Sequence, residues 1–308
     1  MNSETRSLRP AFGFSGHETF PFRLAWLTKG VRETERDPSI FSADDAIVRL
    51  GVGKNMVRSI RHWCQTLRLI EETAGYRGRY HATALGQMVF GEDGVDPFLE
   101  HTGTVWWLHW QLATNRERAT TWFYTFNDWP RQDFSKAALK TGLSQWVELQ
   151  GGAVPSVASM DRDIDCMVRT YSTPRGRLRE EAIECPLTEL GLIREVDERW
   201  WLARGPKPSL PDHVFLAALV DYYGRIDHPG STISAETLLY GINSPVRVFL
   251  LDENSAVERL YRLADLTSGA LLYDVTAGLR QVIVRGSLPD QYYWLRQSYV
   301  EGVGHALS

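Results

Sequence analysis

The chain has 308 residues, of which 43% are hydrophobic and 23% charged, enough for two or three domains with sizeable cores. Its formal net charge of −4 excludes a globally basic surface, so any nucleic-acid binding has to come from a local patch. Cys64, Cys166 and Cys185 lie far apart without Cys-x-x-Cys spacing, and no apolar run approaches the roughly 18 residues of a membrane helix, so a disulfide framework, a thiolate zinc site and a membrane span are excluded and a cytoplasmic protein is expected.

Residues 1–10 are polar, lack an apolar signal region and read as a flexible lead-in. The run that follows, Phe12-Gly-Phe-Ser-Gly-His-Glu-Thr-Phe-Pro-Phe-Arg, sets Ser15, His17, Glu18, Thr19 and Arg23 among aromatic side chains. Buried polar groups are costly when unpaired, so such a cluster has its partners supplied. Three readings are open. His17 and Glu18 belong to a catalytic or metal site, although adjacent residues make no recognised ligand spacing. Alternatively they bind a phosphate with Arg23, or they staple residues 1–40 to the next domain.

Residues 41–95 read as a winged helix. Ser42 is a good N-cap with Asp44 and Asp45 in the first turn, and Gly51 is a stop signal. A second helix starts near Gly53, with Val57, Ile60, Cys64 and Leu67 forming its buried stripe. Its other face carries Asn55, Arg58, Ser59 and His62, flanked by Lys54 and Arg61. Two helices joined by a short Gly-containing turn make a helix-turn-helix whose second helix is the recognition helix. Leu69-Ile70-Glu71 and Arg79-Tyr80-His81 flank a Gly75/Gly78 turn, a wing bearing Arg77 and Arg79. Six Lys/Arg against two Asp/Glu between Lys54 and His81 give a local +4 on a chain whose remainder is −8. A basic element on an acidic body fits double-stranded DNA, read by Lys54, Asn55, Arg58, Ser59, Arg61, His62, Arg77 and Arg79. The alternative is a winged helix used only for protein contacts.

Residues 96–133 hold Trp106, Trp107, Trp110, Trp122, Phe123, Tyr124, Phe126 and Trp129, an aromatic helical connector better suited to core packing than to base stacking. Residues 134–210 repeat the winged-helix layout, with helices over Lys136–Leu149 and Ser156–Tyr171, then Cys185-Pro-Leu, a strand, an Asp197-Glu198 turn and a returning strand. Asp161, Asp163 and Asp165 lie on the margins of the second of these helices. They read either as ligands that hold Mg²⁺ beside a phosphate or as acidic residues favoured near a helix N-terminus. Between Ser172 and Glu184, Arg175, Arg177 and Arg179 suggest a disordered or DNA-ordered loop. After a proline-rich connector, residues 211–308 supply helices from Asp212, Ser234, Ser244 and Ser255, a hairpin around Ala277-Gly278 and an aromatic final helix. Glu253, Glu258 and Asp265 beside Arg247, Arg259 and Arg262 give this third winged-helix-like domain a mixed surface that fits a protein partner. The expected fold class is mainly α (α+β), built of consecutive winged-helix-like domains.

Known catalytic signatures are missing: Gly51-Val-Gly-Lys lacks the spacing of a phosphate-binding loop, and there is no His-Glu-x-x-His or Gly-x-Ser-x-Gly. Five runs carry a resemblance. They are Phe14-Ser-Gly-His-Glu-Thr-Phe-Pro-Phe-Arg with Trp26-Leu-Thr-Lys-Gly-Val, Leu50-Gly-Val-Gly-Lys-Asn-Met-Val, Asp163-Ile-Asp-Cys, Cys185-Pro-Leu-Thr-Glu-Leu-Gly-Leu-Ile and Gly205-Pro-Lys-Pro-Ser-Leu-Pro. In this order the chain resembles the bacterial family catalogued as domain of unknown function 4007. Such proteins accompany the sulfur-handling enzymes of DNA phosphorothioation systems. The resemblance implies a protein that nicks DNA so that sulfur can replace a non-bridging phosphate oxygen, with a sulfur-transfer or ATP-pyrophosphatase partner; it assigns no cutting residue. For a hydrolytic nick the residues offer Mg²⁺ held by Asp161, Asp163 or Asp165, or His17, Glu18 and Arg23 as base and phosphate clamp. A non-catalytic DNA-binding adaptor and a transcriptional regulator are the other readings.

Overall fold

The computed structural model describes residues 11–172, 185–226, 231–276 and 278–304. The expected lead-in at residues 1–10, the loop with Arg175, Arg177 and Arg179, and Ala277 in the last hairpin turn lie outside the described residues.

The chain opens with α1 (Leu24–Arg36), α2 (Ala46–Leu50), α3 (Lys54–Thr66) and a hairpin of β1 (Ile70–Glu72) and β2 (Tyr80–Ala82), then α4 (Ala84–Phe90). Gly51 ends α2 in the left-handed conformation its missing Cβ permits, and Lys29 Nζ donates to the Leu50 carbonyl there. The helix before it is shorter than expected. Ser42 closes a 3-10 turn, α2 begins four residues later, and neither Ser42 nor Asp45 caps through its side chain. Ile40 is the reason: it is buried against Ala46, Leu50 and Val57, which holds the chain in a turn where a helix would point it outward. β1 and β2 pair with Ile70 opposite Ala82, and the Tyr80 amide donates to the Pro38 carbonyl on the outer edge.

Next come α5 (Thr102–Ala113) and α6 (Thr120–Asn127), with every residue from Gly103 to Ala113 and from Thr120 to Asn127 buried. Trp106, Trp107, Trp110 and Trp122 are core residues, as their bulk dictates. The second sheet is built by β3 (Asp133–Phe134), α7 (Lys136–Leu149), α8 (Val157–Tyr171), a 3-10 turn over Pro186–Leu190, β4 (Ile193–Val196) and β5 (Arg199–Leu202). Ser135 and Ser156 cap α7 and α8 by accepting from the Ala138 and Ser159 amides. Asp197 and Glu198, both at positive φ, make the tight turn between β4 and β5.

A third unit contains α9 (Asp212–Arg225), β6 (Thr232–Ser234), α10 (Ala235–Tyr240), α11 (Pro245–Val248), α12 (Glu253–Leu266), β7 (Leu271–Thr276) and β8 (Leu279–Val284), followed by α13 (Gln291–Gly304). The helix at Pro245 stops at Val248 rather than near Asp252, because Asp252 caps the next helix by accepting from the Ser255 amide. Arg259, expected on the mixed-charge surface, is buried instead. It pairs with Asp212 and donates to the Lys207 and Leu210 carbonyls, fixing the connector to α12.

The second and third units share one order of elements: a helix, a strand, further helices and a hairpin. In both, the lone strand pairs with the last one, giving sheets ordered β3-β5-β4 and β6-β8-β7. The first unit follows that order with the Pro38 carbonyl in place of the lone strand. A continuous cluster of buried apolar side chains from Phe22 to Leu295 runs through all three. The result is α+β, with many helices and small antiparallel sheets. Among the described residues no helix is long and apolar enough to cross a membrane.

Candidate nucleic-acid interface

The inner stripe of α3 is Val57, Ile60, Trp63 and Cys64, and α1 approaches it closely at Gly30, where an added Cβ would lie 2.4 Å from Cys64 Sγ. That packing turns Lys54, Asn55 and Arg58 to solvent, with Arg61 and His62 half-buried at the margin. The Arg58 side chain is 51% exposed, and the nearest carboxylate, Glu18 Oε1, is 3.8 Å away. Two members of the expected face do not stand on it. Ser59 is fully buried and donates to the His17 carbonyl at 2.9 Å. His62 packs edge-on to His17 and Trp63, and a Cβ on Gly16 would fall 2.3 Å from its Nδ1. Burial pushes the His62 pKa down to about 3, with His17, Arg118 and Arg61 acting the same way, so the ring is neutral near pH 7. Both departures have one cause: residues 15–20 cover this edge of α3.

In the hairpin, Arg77 and Arg79 are exposed at and beside the Gly75/Gly78 turn. Its two carboxylates are already engaged, Glu71 with His81 at 2.9 Å and Glu72 with the Gly78 amide at 2.6 Å. Lys54, Asn55 and Arg58 on α3 and Arg77 and Arg79 on the hairpin are thus all exposed.

The 15–20 turn is held by a buried polar network. Asp163, on the inner side of α8, is 1% exposed. Its Oδ1 accepts from the Ser15 amide at 2.6 Å and from His17 Nε2 at 2.8 Å, and its Oδ2 accepts from the Thr121 hydroxyl at 2.7 Å. The Thr19 amide donates to His17 Nδ1 at 3.0 Å, which places the ring proton on Nε2. Both ring nitrogens and both carboxylate oxygens are thus in use. Arg169 of α8 reaches the Thr19 carbonyl at 2.5 Å, and Trp63 donates to that of Phe20. So fastened, the backbone carries Ser15, Glu18 and Thr19 at φ 61°, 51° and 69°, a left-handed conformation that non-glycine residues rarely adopt. The hydroxyl of Ser15 is buried with no hydrogen-bond partner among the described residues. His17 faces inward, Glu18 lies beside Arg58, and the Arg23 guanidinium lies over the Trp26 ring at 5.3 Å.

Asp161 and Asp165 do not join Asp163. They are half-exposed on the flank toward α7, where Lys140 pairs with Asp161 at 2.7 Å and Lys136 with Asp165 at 2.5 Å. Among the described residues, no three His, Cys, Asp or Glu side chains converge as they would to hold a metal ion. The aspartate trio does not fit Mg²⁺: one carboxylate is saturated by donors and the other two are neutralised by lysines. Of the other partners of Asp163, Ser15 belongs to the polar cluster noted in the sequence, while Thr121 carried no signal. Asp163 itself, expected on the margin of the helix, is on its buried side, between Met160 and Met167.

A family model described as a protein of unknown function, DUF4007, matches residues 14–299. A structure described as an SspB crystal structure is 31% identical, with a TM-score of 0.82 over 94% of this chain and 87% of that chain. A magnesium ion-bound SspB crystal structure is 28% identical, with a TM-score of 0.81 over 95% of this chain and 97% of that chain. No curated protein matches. With nearly the whole chain aligned to one family model, this protein belongs to the DUF4007 family.

Proposed function

We propose that this protein binds duplex DNA through α3 and its hairpin and nicks it in the service of backbone phosphorothioation. The observation that carries the binding half is the solvent-facing row of Lys54, Asn55 and Arg58, with Arg77 and Arg79 exposed on the hairpin that follows, on a chain that is otherwise acidic. The order helix, turn, helix, hairpin is that of a winged helix, in which α3 enters the major groove and the hairpin arginines meet the backbone. The system is supported by the likeness to SspB, a phosphorothioation-system protein, and nicking rests on the same likeness.

For the cut, Glu18 is the best placed of the candidate residues. It sits beside Arg58 on the cationic face, on a turn whose strain has to be supported by its surroundings. His17 and Asp163 act here as the frame that aims it, and Arg23 borders the same segment. One SspB structure binds magnesium, but Asp161, Asp163 and Asp165 do not converge on a common point, so no step is assigned to an ion held by them.

Binding is tested by fluorescence anisotropy of a duplex against salt concentration. Arg58→Glu is expected to weaken binding about tenfold at low salt and to flatten the salt slope by one to two; an unchanged affinity and slope would remove α3 from the interface. Nicking is tested by relaxation of supercoiled plasmid with and without Mg²⁺. Loss of a general base at Glu18→Gln is expected to slow it by about 10²–10⁴. A second reading, a non-catalytic adaptor that loads a sulfur-transfer enzyme, is favoured by the full engagement of His17 and Asp163. Wild-type protein that shifts DNA and never relaxes plasmid would select it.

A further inference from the structure

Away from α3, where the β4–β5 hairpin meets the connector into the third unit, a cavity of about 510 Å³ opens between Gln132, Arg194, Trp201, Arg204, Lys207 and Ser209. Its volume is that of a small-ligand site. Among the described residues no acidic side chain lines it. Arg194 and Trp201 are directly opposite each other in the sheet, so their side chains rise from the same face. Arg194 has no ion-pair partner among the described residues. Trp201 is 39% exposed, whereas the preceding Trp200 turns inward and stacks on Phe134. Arg204 is anchored by one bond to the Leu251 carbonyl. Behind it, Lys207 is buried and holds the carbonyls of Ala203, Gly205 and Leu250 at 2.7–3.1 Å, a fixed cation under the floor. Burial, then Arg204, lowers the Lys207 pKa to about 8, so it stays largely charged at pH 7. Two carboxylates lie nearby and both are engaged: Asp252 caps α12 through Oδ1 and faces Arg204 and Lys207, and Asp133, opposite Trp201 in the sheet, pairs with Arg199.

A bare indole facing solvent between two arginines is an uncommon surface for a stable fold to expose without use. We propose that this cavity is a nucleoside-phosphate site in which Arg194 and Arg204 hold the phosphate and Trp201 stacks the base. Two sources carry that chemistry, a free mononucleotide or an unpaired nucleotide of a DNA strand. The site does not depend on the reading of α3.

The test uses the full chain with two probes, a deoxynucleoside monophosphate followed by calorimetry and a short 5′-phosphorylated single strand followed by anisotropy. Trp201→Ala and Arg194→Glu, each shown to unfold at the wild-type midpoint, are expected to weaken binding about tenfold, while Trp201→Phe keeps a ring and stays within about threefold of wild type. Mononucleotide binding lost in both variants assigns a free nucleotide. Strand binding lost in both, with no mononucleotide binding, assigns an unpaired DNA residue. Asp161→Asn, on the outer flank of α8 and outside both surfaces, serves as the control and is expected to bind each probe as wild type does. Wild type that binds neither probe, or variants that bind both as wild type does, overturns the proposal.

Discussion

Removing the Asp163 carboxylate separates a structural role from a chemical one. Asp163→Ala strands three donors at once: the Ser15 amide, His17 Nε2–H and the Thr121 hydroxyl, now held at 2.6–2.8 Å. A stranded buried donor costs about 1–3 kcal/mol, but Ser15 is partly exposed and regains water. The two buried donors left without an acceptor, His17 Nε2–H and the Thr121 hydroxyl, set an expected total of about 2–6 kcal/mol. Asp163→Asn keeps the shape and replaces charge-assisted bonds with neutral ones roughly half as strong, so about 1–2 kcal/mol is expected. His17→Ala removes the same contact from the other side, and the double variant should be less destabilised than the two singles added, by about 1–3 kcal/mol. The assay is urea unfolding followed by tryptophan fluorescence, with plasmid relaxation measured well below each midpoint. Asp163→Ala with wild-type stability and no nicking would refute this reasoning and make the carboxylate part of the reaction. An additive double variant would equally show that His17 and Asp163 do not act as one unit.

Three further outcomes follow from the geometry. Gly86→Ala should destabilise by at least about 1–3 kcal/mol in thermal unfolding, since its Cβ would fall 2.1 Å from the Leu69 carbonyl oxygen, which is backbone and has nowhere to go. Stability should fall on acidification. His109 is fully buried between the Tyr171 hydroxyl and the Val248 carbonyl, and burial lowers its pKa from 6.5 to about 4. The unfolded chain then binds the extra proton between those values, so the stabilisation present above pH 6.5 drains away at about 1.4 kcal/mol per pH unit as the pH falls towards 4. His62 adds with the same sign, and a urea midpoint that is flat from pH 7 to 4.5 would contradict both assignments. Asp161→Asn and Asp165→Asn break only solvent-facing pairs with Lys140 and Lys136, so each should change stability by less than about 1 kcal/mol and leave nicking intact. Loss of Mg²⁺-dependent nicking in either variant would return these residues to the ion.

The features legible in the sequence are those fixed by neighbours a few residues away. Ser135 and Ser156 announce α7 and α8, the Gly75/Gly78 turn announces the first hairpin, and four tryptophans between 106 and 122 announce a core. The illegible ones depend on distant chain. Ser59 and His62 sit on the correct side of α3 for a recognition face, yet residues 15–20 arrive from elsewhere to cover them, secured by an aspartate 146 positions from His17. Arg259 likewise looks like surface until Asp212 and two carbonyls of the connector close around it. Helical periodicity puts Asp163 only at the margin of the α8 stripe, and the structure buries it; what periodicity cannot supply is the partner that makes a buried carboxylate tolerable.

The three units repeat one order of elements, and what separates them is which side chains their last long helix leaves unpaired. On α8 the acidic residues are consumed, Asp163 inward and Asp161 and Asp165 by the lysines of α7, Arg169 reaches the Thr19 carbonyl, and Arg162 is exposed with a bond to its own helix at the Ala158 carbonyl. On α12, Arg259 and Arg262 both turn to Asp212, leaving Tyr261 among the exposed residues. On α3, Lys54 makes no ion pair among the described residues, and Arg58 has only Glu18 at 3.8 Å. An exposed pair at that separation contributes less than about 1 kcal/mol, so it does not hold Arg58 back from a stronger anion. A phosphate entering there exchanges a weak, solvated contact for a charge-assisted one and frees Glu18 at the same step. On the proposed reading, DNA binding and release of Glu18 are coupled through a single guanidinium. Arg58→Lys, which keeps the charge and gives up the bidentate geometry, should accordingly weaken duplex binding less than Arg58→Glu does.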